Sequence, residues 1–163
     1  MWDKFKIFDR FLEKVEEALK ELRIAEHLLA ITSQLVSDPK INASIFEHLY
    51  KALVMAAREF IEVERRNRGI GFIPQDEDLA VGFFIENYAG EVGEGVKETL
   101  REMLRIRAIQ REGTTLGDAT KTILISKDFE LSILERKKLE ELDKVVKDVI
   151  NWIGEKVGKG GTT

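Results

Sequence analysis

Apolar side chains return every three or four positions along most of this chain, a spacing that gathers them on one side of a helix. From about Asp3 to Val36 the stripe is Phe8, Phe11, Leu12, Val15, Ala18, Leu19, Leu22, Ala25 and Leu29, with Glu13, Lys14, Glu16, Glu17, Lys20 and Glu21 opposite. Beyond Arg23, Ile24, Leu28, Ile31 and Leu35 add apolar positions on further sides. Such a helix end is buried among several neighbours or pressed against another molecule. Ser37-Asp38-Pro39 breaks the pattern: Asp38 is placed to cap the next helix, and Pro39 suits a first turn, where its missing N–H costs nothing. The second helix is predicted over about Lys40 to Arg68, with Ile45, Phe46, Leu49, Leu53, Ala56, Phe60 and Val63 inward. So short a connection between long helices makes them antiparallel neighbours.

Gly69 to Pro74 reads as a non-helical link, with Phe72 and Ile73 folding back as a lid. Asp76, Glu77 and Asp78 favour a new helix start. That third helix carries Leu79, Val81, Phe83, Phe84 and Ile85 and is expected to kink or break near Gly90–Gly95. It then resumes through Val96, Leu100, Met103 and Leu104 to about Arg111. Gly113 to Gly117 is expected as a loop. Thr122–Ile125 and Phe129–Ile133 flank Ser126-Lys127-Asp128, a pattern that fits a short β-hairpin and an extended loop equally. A last helix is expected from about Leu134 to Val157, with Leu139, Leu142, Val145, Val146, Val149, Ile150 and Ile153 inward. Trp2 and Trp152 are expected to plug the bundle ends. The fold class is therefore all-α: one domain over residues 1–157, an antiparallel four- to five-helix bundle with the β-hairpin alternative before the last helix. Residues 158–163 are expected as a flexible tail.

Composition narrows the chemistry. No cysteine occurs among the 163 residues, which removes disulfides, thiolate metal sites and a thiol nucleophile. Charged residues make up 34% of the chain against only three Gln and four Asn. That balance resembles proteins of high-temperature organisms, whose ion-pair networks gain value on heating. The net charge of −4, with both signs interspersed, gives no bulk attraction to nucleic acid. Met1 to Lys6 lacks the apolar core of a signal peptide, and no apolar run approaches the roughly 20 residues of a membrane helix. A cytoplasmic location without membrane contact is the expectation.

Motifs of known mechanism are absent. The glycines at 69, 71, 90, 93 and 95 follow no strand and precede no Lys-Ser/Thr, so no phosphate loop forms. No serine sits in a nucleophile elbow. The two histidines, His27 and His48, are preceded three places earlier by Ile24 and Ile45, so the Glu-x-x-His of di-iron bundles is missing. No catalytic residue, metal ligand or cofactor is assigned. His27 and His48 stand at similar heights on neighbouring helices, off the inward stripes, and are read as structural. Two arginine clusters remain: Arg58, Arg65, Arg66 and Arg68, then Arg101, Arg105, Arg107 and Arg111. Cations near a helix C-terminus and Glu–Arg pairs account for most of them. If both clusters share one face they form a phosphate- or RNA-backbone patch, with Arg58, Arg65, Arg66 and Arg68 as its binding residues. Arg58, among Ala56, Ala57 and Phe60, must be paired with a carboxylate or used.

Leu22-Arg23-Ile24-Ala25-Glu26-His27-Leu28-Leu29, Val36-Ser37-Asp38-Pro39-Lys40 and Ile45-Phe46-Glu47 resemble a group of uncharacterised archaeal proteins. So do Ile123 to Phe129 and Lys137-Lys138-Leu139. That group is similar to HEPN-type helical domains, the nucleotide-binding domains shared by higher eukaryotes and prokaryotes. The resemblance implies an antiparallel helical bundle, often dimeric, with roles in RNA cleavage, nucleotide-transferase partnership or scaffolding. Catalytic members carry Arg, four to six residues, then His. Neither Arg10 nor Arg23 has a histidine at that offset, so no catalytic residue carries over. The leading expectation is a non-enzymatic interaction or scaffold module, homodimeric through the apolar faces around Ile24–Leu35. An RNA- or nucleotide-binding HEPN-like protein lacking the Arg/His motif is the alternative. A hydrolase built on an unrecognised carboxylate comes third.

Overall fold

The computed structural model describes residues 4–35, 39–69, 74–117 and 121–160, with side chains omitted for 4–5, 32–39 and 159–160. The elements in chain order are α1 (Lys4–Leu35), α2 (Pro39–Arg68), α3 (Glu77–Phe84), a π-helical turn (Ile85–Ala89), the single turn α4 (Gly90–Val92), α5 (Val96–Glu112), β1 (Thr114–Gly117), β2 (Lys121–Ile125), β3 (Leu131–Glu135) and α6 (Arg136–Gly160). The all-α reading holds: helices dominate, and a small antiparallel sheet precedes the last of them.

The first two helices fall where the periodicity places them, and α2 opens on Pro39. The cap expected of Asp38 and the lid expected of Phe72 and Ile73 lie outside the described residues, as does Trp2. All seven inward positions predicted for α2 are buried. α2 is the central rod. It packs along α1 and α6 and carries α3 and the sheet on its remaining sides. Burying a leucine or phenylalanine contributes about 1.5–3 kcal/mol, so Phe11, Leu22, Ile45, Phe46, Leu53, Leu142 and Ile153 form the main hydrophobic store of the fold. Trp152 lies at the junction of α2, α3 and α6, ringed by Phe60, Phe84 and Tyr88 at centroid distances of 5.2–6.4 Å.

The third helix departs further from regularity than a kink. Asp76 caps α3 by accepting from the Leu79 N–H at 3.0 Å. A π-turn then adds one residue to the spiral at Ile85–Ala89, which keeps both Ile85 and Ala89 buried. Gly93 and Gly95 separate α4 from α5, and Gly95, at φ 78°, supplies the left-handed conformation that glycine takes without cost.

Residues 114–117, expected as a loop, form an edge strand instead. The sheet order is β1-β2-β3, antiparallel throughout. The register places Leu116 opposite Ile123 and Ile123 opposite Ile133. A Cβ at Gly113 would overlap the carbonyl oxygen of Ile125, and one at Gly117 that of Lys121, so the strand is bracketed by glycines that let the backbones close. β3 runs to Glu135, so the last helix starts two residues later than expected and extends to Gly160, into the segment expected as tail. Asn42, buried at the start of α2, donates to Thr122 Oγ1 at 3.1 Å and to the Leu134 carbonyl at 3.4 Å. This polar clamp fixes the sheet's inner face on α2. No described helix is long and apolar enough to cross a membrane.

Candidate functional site: the outer face of the sheet

A strand with one buried face normally turns its apolar residues inward and its polar ones outward. Here β3 breaks that rule at three positions, while Leu134 is buried inward and Glu135 exposed as usual. Leu131 and Ile133 point outward at 62% and 43% exposure, while Ser132 points in and is buried, its hydroxyl without a hydrogen-bond partner. β2 is apolar on both faces: Leu124 is buried, and Ile123 and Ile125 look out. Two outward rows result, Leu116–Ile123–Ile133 and Thr114–Ile125–Leu131, followed by Lys121 opposite Glu135 at the far end. Leu116 is half exposed at 51%.

The connection between β2 and β3 adds the sharpest feature. The Phe129 N–H donates to the Ser126 carbonyl at 3.0 Å, and the Ser126 N–H donates to the Glu130 carbonyl at 2.9 Å. The Glu130 N–H reaches Ser126 Oγ at 2.9 Å. These bonds close a three-residue loop: a tight turn followed by one left-handed residue that bulges the strand. Glycine is the ordinary occupant of that left-handed position. Phe129 occupies it at φ 63°, the only non-glycine residue with positive φ among the described residues. A side chain there costs about 1 kcal/mol, and the ring gains no burial in return, being 85% exposed. Backbone strain of this kind clusters at ligand clamps and switch regions. The outer sheet face thus carries several exposed apolar residues together, with Phe129 exposed at the β2–β3 tip.

The arginines behave otherwise. Arg65 and Arg66 share Glu62 at 3.5 and 2.9 Å, and Arg68 pairs with Glu64 at 3.0 Å. Arg101 grips Glu86 with both nitrogens, and Lys97 joins them at 3.5 Å. Arg107 pairs with Glu47 at 3.4 Å and lies over the Tyr50 ring. Arg111 pairs with Asp78, which also accepts the Tyr50 hydroxyl. Burial, together with that Asp78 contact, pushes the Tyr50 hydroxyl far above its usual range. Arg107 and Arg111 thus sit beside the first part of α2, whereas Arg65–Arg68 lie about 30 Å farther along its axis at 1.5 Å per residue. The structure sets these two groups at different heights along α2. Arg58, half-buried, makes no ion pair among the described residues. A shallow recess of about 190 Å³ lies between α5 and the hairpin turn, lined by Arg105, Ala108, Ile109, Glu112, Ser126 and Lys127 among others, with both charges represented.

The histidines do not meet. His27 is exposed, and His48 Nδ1 contacts Glu21 Oε2 at 2.6 Å, with Lys51 on the other carboxylate oxygen at 3.3 Å. Burial raises the Glu21 carboxyl, but the hydrogen bonds from His48 and Lys51 outweigh it and hold the group below its usual range. Among the described residues no cluster of His, Asp and Glu is arranged to hold a metal ion. One carboxylate stands out. Asp143 on α6 is half-buried, and its Oδ1 has no hydrogen-bond partner; burial and the nearby Glu26 charge push its pKa up to about 6. It lines no part of the recess beside α5. No family model, curated protein or solved structure matches this chain.

Proposed function

We propose that this protein is a non-enzymatic interaction module whose contact surface is the outer face of the three-stranded sheet, acting in the cytoplasm. The observation that carries the reading is Phe129, held in a left-handed conformation and almost fully exposed at the tip of an apolar sheet face. Two local costs at one residue find their balance in a contact made outside the chain. The helical face first expected to serve this purpose supports it less. Leu28 packs on the core, which leaves Ile24 and Ile31, about 10 Å apart along α1, as its open apolar positions with described side chains. The RNA-binding reading draws less support still, since Arg65, Arg66 and Arg68 are spent on carboxylates of their own helix. The hydrolase reading has a carboxylate of raised pKa in Asp143, which lines no part of the recess beside α5.

The test is a photo-reactive residue placed at Ile133, on the outer face, or at Glu140, exposed on α6, in cells producing the chain. Adducts with a discrete polypeptide, the chain itself included, are expected from position 133 and not from 140. Equal labelling from both positions, or none from 133, would overturn the reading.

A further inference from the structure

Resting on that reading, we infer that the sheet's outer face is covered by a second copy of this chain, packed face to face about a two-fold axis running along β2. A two-fold contact requires a patch complementary to itself, and this patch has that property row by row. Rotation about an axis along β2 lays β2 on the partner's β2 and β1 on the partner's β3. Ile123 then meets Ile123, Ile125 meets Ile125, and Leu116 and Ile133 meet reciprocally, so the central row is apolar across its width. The same rotation sets the charged end of each sheet on that of its partner. There Lys121 and Glu135 lie directly opposite across the strands; on the axis Lys121 meets Lys121, and each lysine has the partner's glutamate one strand to the side. The two hairpin tips come to the same end, which brings Phe129 of each copy toward the other.

The area also fits a self-association. Leu116, Phe129, Leu131 and Ile133, with the less exposed Ile123 and Ile125, offer on the order of 500 Å² of apolar surface, at the upper end for a monomer's largest patch. With the aliphatic stems of Lys121 and Glu135 and with Thr114, this approaches the roughly 800 Å² that each partner contributes to a standard interface. Opposed sheets pack about 10 Å apart, with side chains interleaved between them. The inverted polarity of β3 supplies the outward branched side chains which that packing requires.

Sedimentation velocity and light scattering on the full chain over a wide concentration range test the inference. The expected result is a reversible species of twice the 18.7 kDa chain mass. Leu131→Glu should raise the dissociation constant at least tenfold while the far-ultraviolet circular dichroism stays that of the parent, since Leu131 lies outside the core. Two charge variants separate association from changes within one chain. Lys121→Glu makes the charged row wholly negative and Glu135→Lys makes it wholly positive, so each alone should associate less than the parent. An equimolar mixture of the two should form a heterodimer at parental affinity or better. A parent that stays monomeric throughout, a Leu131→Glu chain that associates as the parent does, or a mixture that yields no heterodimer would each overturn the inference. A monomeric parent that still gives adducts with another polypeptide from position 133 would sink the second copy and leave the interaction module standing. Absence of those adducts would sink both.

Discussion

The helical bundle and the sheet solve the same problem in opposite ways. In the bundle, α2 is surrounded: its apolar face finds α1, α3 and α6, and Arg65, Arg66 and Arg68 find carboxylates one turn away. In the sheet, one face is satisfied by α2 through Leu124, Leu134 and the Asn42 clamp, and the other presents branched apolar side chains to water. Periodicity of 3.6 lets a helix hide its whole stripe, whereas a strand must show half of its side chains. What the strand shows is therefore chosen independently of what it buries. The lesson is that the element buried on one side only leaves the clearer surface pattern.

The contrast breaks most easily at matched apolar positions. Leu53→Ala, in the fully buried face of α2, should cost about 2–5 kcal/mol of unfolding free energy, whereas Ile133→Ala on the outer sheet should cost under about 0.5 kcal/mol in the dilute monomer. Urea denaturation of both variants checks this, and equal losses would erase the distinction between the two faces. Asn42→Ala strips a buried donor from Thr122 and the Leu134 carbonyl, and should cost about 1–3 kcal/mol, with faster amide exchange confined to β2 and β3. Phe129→Gly should move the other way. It relieves the left-handed strain and is expected to stabilise the isolated chain by about 1 kcal/mol, read as a rise in melting temperature at low protein concentration. A loss of stability there would show that the ring is held by its own chain.

The smallest effect concerns Asp143. Its folded pKa of about 6 lies above the roughly 3.9 of an unfolded aspartate, so the folded state holds the proton more tightly. Stability therefore falls as pH rises from about 4 to 6, and the full penalty applies above that window. Asp143→Asn should stabilise the fold at pH 7 by no more than about 1 kcal/mol, because water reaches the group, read as a higher melting temperature, and should leave stability unchanged at pH 3.5. Melting curves at the two pH values decide it.

The long helices were legible because their stripes run through many turns; no local choice at one residue alters the reading of Phe46, Leu49 and Leu53. The arginine pairs were legible too, as Glu62 and Glu64 stand three or four places from their partners. β1 was not. Thr114-Thr115-Leu116-Gly117 has a single large apolar residue, and its pairing depends on Ile123, whose position no short-range pattern supplies. The face of β3 was hidden for a related reason. Alternation groups Leu131 with Ile133 and Ser132 with Leu134, but the larger pair faces outward, because Thr122, Ser132 and Asn42 are gathered under the sheet. Phe129 could not be found at all from a rule that expects glycine at its position. The kink foreseen near Gly90–Gly95 was coarser than the truth, since a π-turn placed ahead of the glycines carries no compositional mark.

The glycines bracketing β1 have one more effect. Sliding the strand along β2 would push a Cβ from a neighbouring position into a carbonyl that only Gly113 or Gly117 can approach. The edge is therefore pinned, and at four residues it is a poor template for recruiting further strands. On the β1 rim, then, an added strand has little backbone to pair with, and the branched side chains on the flat of the sheet remain the larger open surface.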